Sequence, residues 1–508
     1  MGAMTTDSGA GPLPAYERLQ PRETWAFFAG LSAIPRPSKK EERVRAWVKS
    51  EARARGFDIR EDGIGNLAIR VPASPGHETA PVVVLQGHLD MVCEKNNDST
   101  HDFDRDPIQL VVDRDRASGR TIVRARGTTL GADNGIGVAL AWGAAVAADV
   151  VHGPLELLLT VDEEAGMGGA NALKDDFVQG RILLNLDCED VALYVGCAGG
   201  CDVTLRWPVQ TRPLASEISL ARVAVSGLRG GHSGVDIHEN RGNAVRLLAR
   251  VLLEDGVPSP QLVEIAGGGR RNALAREASA LVAGGPDLAS ALTRAAERAE
   301  REWRAGTEPG CRISVEAPAV TPESGRAGGL RAMETADTTR ILRALLALPH
   351  GVLAVNPEMP GLVQTSNNVA SIALDSKTIT VCCMTRGSSM AQLLDAVRQI
   401  RATGLLAQAE IQAGNAYPGW QPNLASPLLA TCRRVHQEAF GAEARILSIH
   451  AGLECGIIGD RIPGMDMVSF GPEIKGAHSP DEHVFVDSVE RTWGFLVHLL
   501  RALTHPST

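Results

Sequence analysis

Three strand-length apolar runs, PVVVLQG, PLELLLTV and RILLNL, each lead directly into a histidine or a carboxylate. A strand that is apolar on both faces has no side to offer to water. It must lie inside a sheet covered by helices on both faces. Stretches with helical character, GIGVALAWGAAVAADV and ANALKDDF, separate these runs. The alternation predicts an α/β fold with a mostly parallel central sheet flanked by helices. Such sheets collect their chemistry at the carboxyl ends of the strands. The residues that follow the three runs are therefore the first candidates: His88 with Asp90, Glu163 with Glu164, and Asp187.

A chain of 508 residues is too long for one core. At the start, ETWAFFAGLSAI and KKEERVRAWVKSEARARG have helical period, the second closed by Gly56, and NLAIRV and TIVRA read as strands. Beyond about Gly200 the period changes to two, in CDVTLRWPV and SEISLARVAVSG, as in half-exposed antiparallel strands. Long amphipathic helices such as PDLASALTRAAERAEREWRAG follow, and alternating helix and strand return near Pro427. The expected layout is a disordered leader at 1–15 and a catalytic domain from 16–205 and 421–508. An α+β lid domain is inserted at 206–420.

A net charge of -9 argues against nucleic acid and against anionic membrane as partners. No apolar run approaches membrane-spanning length. The leader lacks the basic and apolar regions of a signal peptide. Nine cysteines without framework spacing suit reduced, mostly buried thiols, and Cys197 and Cys201 read as structural. These features together predict a cytoplasmic protein.

His88 and Asp90 stand two apart at a strand end, so both point to one side. An imidazole that binds metal usually donates its other N–H to a carboxylate, and Asp90 is placed for that. A strand-end turn with two incidental polar residues fits equally well in isolation. Asp133 lies in GTTLGADNGIG just before a helix, where one carboxylate can serve two ions through its two oxygens. Asp-Asn-Gly is also an ordinary turn. Glu163 and Glu164 end a largely apolar strand, and alternation there turns one toward a metal and the other toward a water, giving a ligand and a general base. His478, in GAHSPDEHVF, sits in a turn, where a single histidine is ordinarily just solvated. Two histidines and several carboxylates exceed the needs of one tetrahedral site and suit two borderline divalent ions, zinc first, with manganese or cobalt as alternatives.

The middle block contributes His232, between glycines in GGHSG, which could stabilise an oxyanion from a lid or a partner subunit and is equally well a turn histidine. Arg386 follows an apolar strand and could clamp a carboxylate through two parallel hydrogen bonds. His450 and Glu454 flank Gly452, a point where backbone could approach a ligand closely.

Taken together, GHLDMV, ARGTTLGADNGIG, VVHGPLELLLT, EEAGM, GCAGG, GGHSG, AYPGWQP, IHAGLECG, DMVS and HSPDE resemble the M20 metallopeptidase family, and within it the aminoacyl-histidine dipeptidases. The resemblance runs from about Tyr16 to the last helix. It implies His88 and Asp187 on one zinc, Glu164 and His478 on the other, and Asp133 bridging. Asp90 would orient His88, and Glu163 would be the base that activates the water between the ions. His232, Asn272, Arg386 and Gly452 match positions that hold the substrate carboxylate or the tetrahedral intermediate. The family fold is a catalytic α/β domain with an inserted lid, and relatives commonly form homodimers through the lids. NLDCEDVA, GGGRRNALARE and TRGSSM depart from the family's usual wording, which leaves the chemistry intact and bears on substrate preference.

The expected function is metal-dependent hydrolysis of Xaa-His and related short dipeptides. Two alternatives remain: an M20 hydrolase of broader dipeptides or N-acyl amino acids, and a non-catalytic metal-binding homologue. The complete set of candidate ligands and the intact Glu163 argue against the last.

Overall fold

The computed structural model describes residues 15–215, 218–317, 330–375 and 377–505. The leader expected at 1–15 lies outside them except for Ala15, which opens a short 3-10 helix, Ala15–Arg18. The chain divides into two units, one of Met1–Gly196, Pro422–Ser448 and Ile457–Thr508, the other of Cys197–Gln421 and Ile449–Gly456. The short return segment Ile449–Gly456, which carries His450 and Gly452, thus belongs with the second unit.

The first unit is built on an eight-stranded sheet in the order Asp58–Glu61, Leu67–Val71, Leu155–Thr160, Val83–His88, Ile182–Asn185, Asp466–Ser469, Leu193–Cys197, Ile446–Ile449. Its four central members are parallel. Val83–His88 and Leu155–Thr160 are buried at every position, as strands inside a covered sheet are. Antiparallel pairings flank this centre at Leu67–Val71 and at Leu193–Cys197. The helix Ala132–Val146 packs on Val83–His88 through small residues. A Cβ on Gly137 would lie 2.1 Å from the Leu186 carbonyl, and one on Gly87 would lie 2.2 Å from Asn134 Oδ1. Glycine at both positions lets helix and strand approach closely, which explains the small-residue wording of GHLDM and DNGIG.

Two local expectations shift. TIVRA forms a strand, Thr121–Ala125, but in a separate four-stranded antiparallel sheet with Leu110–Arg114, His483–Phe485 and Ile474–Lys475. The helix expected through ANALKDDF is only Gly168–Ala172, because Leu173 leaves it in extended geometry and Phe177 and Val178 turn back into the core. At the other end of the unit, Gly56 closes the helix Glu42–Ala54 as anticipated, with φ of 73° and the Phe57 N–H bonded to the Ala52 carbonyl.

The second unit is a nine-stranded antiparallel sheet: Arg312–Glu316, Ser219–Ser226, Ala278–Gly284, Gln261–Gly268, Val363–Leu374, Thr378–Gly387, Gly199–Pro208 and Glu410–Ala413, with Gly351–Val355 also on Val363–Leu374. Helices Ala244–Leu252, Leu288–Ala305, Thr335–Ala347 and Met390–Leu406 bury their apolar stripes with it in one core. Among the described residues, no helix is long and apolar enough to cross a membrane.

Candidate metal centre and substrate residues

His88 is the last residue of a central strand, and Asp187 follows the adjacent strand by two positions. Asp133 stands at the start of the helix Ala132–Val146, where Asn134 accepts the His88 N–H on Oδ1 and donates to the Leu186 carbonyl. Asn134 thereby ties together the three segments that carry His88, Asp133 and Asp187. His478 comes from the separate four-stranded sheet, at the tip of the hairpin between Ile474–Lys475 and His483–Phe485.

These elements bring all seven candidate side chains of the first unit together. His88 Nε2 lies 3.2 Å from Asp133 Oδ1 and 3.4 Å from Asp187 Oδ1. His478 Nε2 lies 3.2 Å from Asp133 Oδ2 and 3.2 Å from Glu164 Oε2. Asp133 therefore turns one oxygen to each histidine. Ligand atoms of His88, Asp133 and Asp187 lie within 4.8 Å of one another, as do those of Asp133, Glu164 and His478. Glu164 Oε1 is buried without a hydrogen-bond partner. Nitrogen and oxygen donors in two groups that share one carboxylate fit a pair of borderline divalent cations.

The electrostatics agree with the geometry. Hydrogen bonds to Asp133 and Glu164 push His478 up to about 11. Burial works against the charged His88 ring, yet the neighbouring carboxylates raise it well above the usual imidazole range. So much negative charge favours a cation between the carboxylates.

Asp90 has more partners than its expected one. Its Oδ1 lies 3.4 Å from His88 Nδ1, so Nε2 is the nitrogen left facing Asp133 and Asp187. Its carboxylate also accepts the Glu163 and Glu164 N–H groups at 3.0 and 3.1 Å and the Ser38 hydroxyl at 2.7 Å. Burial opposes its ionisation, but these partners outweigh it and hold the carboxyl at about 2. This corrects the expected division of Glu163 from Glu164 by strand alternation. The strand ends at Thr160, and Asp162 takes a left-handed conformation with φ of 55°. Both glutamates come back toward His88, and their carboxylates lie within 4.8 Å of its ring.

His232, Asn272, Arg386 and Gly452 lie in the second unit. Arg386 is 5% exposed and donates to Tyr417 Oη at 3.2 Å, while its Nε is buried without a partner. No carboxylate of the described residues forms an ion pair with it. A buried guanidinium without a counterion is poised for an anion from outside. Gly200, its partner on the neighbouring strand, leaves the space that Tyr417 fills, since a Cβ there would lie 2.5 Å from Tyr417 Oη. His232 Nδ1 accepts the Gly234 and Val235 N–H groups, so the neutral ring carries its proton on Nε2 and is a donor. Burial and the charge of Arg386 both lower its pKa and keep it neutral. Asn272 is exposed, and its carbonyl takes the Ser233 N–H at 2.8 Å, beside His232. The segment carrying Gly452 is fixed by the Ala198 N–H on the Ile449 and Ala451 carbonyls.

The polar half of strand Val363–Leu374 is not marked by any sequence pattern. Gln364, Thr365, Ser366, Asn367 and Asn368 are all buried. Ser366 pairs with Arg386 across the strands and bonds His450 Nε2 at 2.7 Å. Asn368 donates to the Arg271 and Ala273 carbonyls on either side of Asn272. Such a run looks like loop by composition, and only its bonds to the segments around His450 and Asn272 distinguish it.

Burial and the Arg386 charge depress His450 to about 3, and burial with Arg246 depresses His350 likewise. Both are neutral when folded and take up protons on unfolding below their ordinary value of 6.5. Their contribution to stability is present above that pH and is lost as pH falls toward 3. Urea unfolding from pH 7 to 4.5 is expected to show falling stability. The variant His450→Asn should take up about one proton fewer on unfolding in that window.

The model of peptidase family M20/M25/M40 matches residues 84–502. A cytosol non-specific dipeptidase from Escherichia coli (strain K12) is 38% identical over 491 residues, 96% of this chain and 98% of the relative. The crystal structure of an aminoacylhistidine dipeptidase from Vibrio alginolyticus is 39% identical, with a TM-score of 0.86, covering 96% of this chain and 98% of that one. An aminopeptidase from Bacillus cereus ATCC 10987, 14% identical with a TM-score of 0.55 over 96% of this chain and 99% of its own, shares the fold. With a family match at residues 84–502 and a relative 38% identical over 96% of its length, the chain belongs to peptidase family M20/M25/M40.

Proposed function

We propose that the protein is a dinuclear metal-dependent dipeptidase that hydrolyses Xaa-His and related short dipeptides. The observation that carries this reading is Asp133, with one carboxylate oxygen at His88 and the other at His478. His88 and Asp187 would hold one cation, Glu164 and His478 the other, and Asp133 both. Zinc suits this donor set first, with manganese and cobalt as alternatives. When bound, two such cations polarise the scissile carbonyl and make water acidic enough to ionise near neutral pH.

The chain's own groups do the rest. Asp90 fixes the tautomer of His88 and holds the turn bearing Glu163. Glu163 accepts the proton of the attacking water and returns it to the leaving amine nitrogen. Arg386 binds the C-terminal carboxylate of the substrate, with Asn272 and the Gly452 backbone completing that subsite. His232 donates from Nε2 to the developing oxyanion. A requirement for a free carboxylate near the scissile bond limits substrates to short peptides. In this reading the first unit is catalytic, the second acts as the lid, and the protein works in the cytoplasm as a homodimer through its lids.

The non-specific relative favours a second reading, with broader dipeptides as substrates and the same metal centre. A dipeptide panel varied at the C-terminal residue tests the choice. Preference for C-terminal histidine supports the first reading, and even cleavage across the panel supports the second. N-acyl amino acids cleaved in place of dipeptides would overturn both.

A further inference from the structure

We propose that Glu482 is the positioning residue that holds the His478 side of the metal centre in register with Asp133. The inference rests on the metal-centre reading above and adds a residue with no place among the ligands. Glu482 is 2% exposed. Its Oε2 accepts the N–H groups of Leu130 and Gly131 at 2.7 and 2.9 Å, and its Oε1 accepts those of Ala132 and Asp133 at 2.8 and 3.2 Å. These are four consecutive amides at the start of the helix Ala132–Val146, where the helix supplies no acceptors of its own. The carboxylate is fully occupied by amides, so it shapes the centre without competing for a cation.

Glu482 also belongs to the hairpin loop that presents His478, four residues away. That loop is a compact turn, closed by the Ser479 N–H on the Gly476 carbonyl and the Glu482 N–H on the Ser479 carbonyl, both at 3.1 Å. The His478 side chain at its tip is half exposed, at 53%. The buried Glu482 side chain therefore anchors the turn to the backbone that carries Asp133.

The opposite side of the Asp133 loop has a different anchor. Arg36, 1% exposed, donates to the Gly131 carbonyl and to the Leu89 and Asp90 carbonyls. Gly131 suits both demands, since it takes φ of 69° and a Cβ there would lie 2.5 Å from the Arg36 guanidinium. Arg36 thus ties the loop to the His88 segment and Glu482 ties it to the His478 segment. Loss of Glu482 should loosen the Asp133–Glu164–His478 group while the His88–Asp133–Asp187 group keeps its support.

The test is Zn2+ titration of metal-stripped full-length protein against a competing chromophoric chelator, with wild type, Glu482→Gln and Glu482→Asp. In the glutamine variant an NH2 group faces two N–H donors, so two of the four hydrogen bonds are lost. Wild type is expected to bind two Zn2+. Glu482→Gln should bind one as wild type does and the second about 10- to 100-fold more weakly, the scale of outer-shell substitutions. Glu482→Asp, charged but shorter, should fall between, and it carries the test if the glutamine variant does not fold. In a His478→Ala background, Glu482→Gln should cost no further affinity. A folded Glu482→Gln that binds two Zn2+ as wild type does would overturn the proposal. So would equal weakening of both ions, which marks a purely structural cap. Wild type that takes up no Zn2+ would instead overturn the metal-centre reading.

Discussion

Glu163→Gln is expected to keep both cations and to lower kcat by about 10²- to 10⁴-fold, the range of a lost general base. The amide is nearly isosteric with the carboxylate but cannot accept the water's proton. The Glu163 N–H would remain on Asp90 Oδ1, so the turn should not move. The variant also separates two roles that geometry leaves close together. Glu163 and Glu164 both bring carboxylates within 4.8 Å of the His88 ring. If Glu163 were a ligand, the glutamine variant would lose cation along with turnover. Metal content measured beside kcat therefore decides the role: two cations with lost turnover assign the base to Glu163, while retained turnover removes it from the mechanism.

Arg386→Ala is expected to lower kcat/KM by on the order of 10²- to 10³-fold, with cation content unchanged. Removing one partner of a buried, hydrogen-bonded charge pair costs about 2–5 kcal/mol. Arg386 is buried and has no carboxylate partner among the described residues, so the substrate would supply the missing anion. The same interaction can be removed from the other side by amidating the dipeptide's C-terminus. Wild type should then discriminate strongly against the amide, and Arg386→Ala should treat acid and amide alike. A variant that still prefers the free acid would place carboxylate recognition elsewhere. Arg386→Lys should restore little, since an ammonium cannot reproduce the guanidinium's paired geometry.

The parts of this molecule that were legible in the sequence share one physical cause. His88 ends one buried strand, Asp187 follows another by two positions, and Glu163 and Glu164 lie in the turn after a third, places where a polar side chain needs something that answers its polarity. Glycines at 87 and 137 marked the close helix–strand approach beside them. Less legible was whatever depends on distant partners. His478 reads as an ordinary turn histidine until the separate sheet carries its hairpin to Asp133. Glu482 looks like one more surface charge until it meets four amides some 350 positions earlier in the chain. The Gln364–Asn368 run breaks the apolar pattern of a buried strand because its side chains hold the segments around His450 and Asn272. Local patterns fail there because polar contacts to distant segments, and not apolar packing with near neighbours, account for each residue.

In the proposed function, paired cations and Glu163 together hydrolyse dipeptides. The most direct measurement is release of free histidine from an Xaa-His dipeptide by the purified protein, before chelation, after it, and after stepwise return of Zn2+, Mn2+ or Co2+. Cleavage is expected to be lost on chelation and to recover in a way that saturates near two equivalents of cation per chain. Cleavage that survives complete removal of metal, or no cleavage of any dipeptide with any cation returned, would contradict the proposed function.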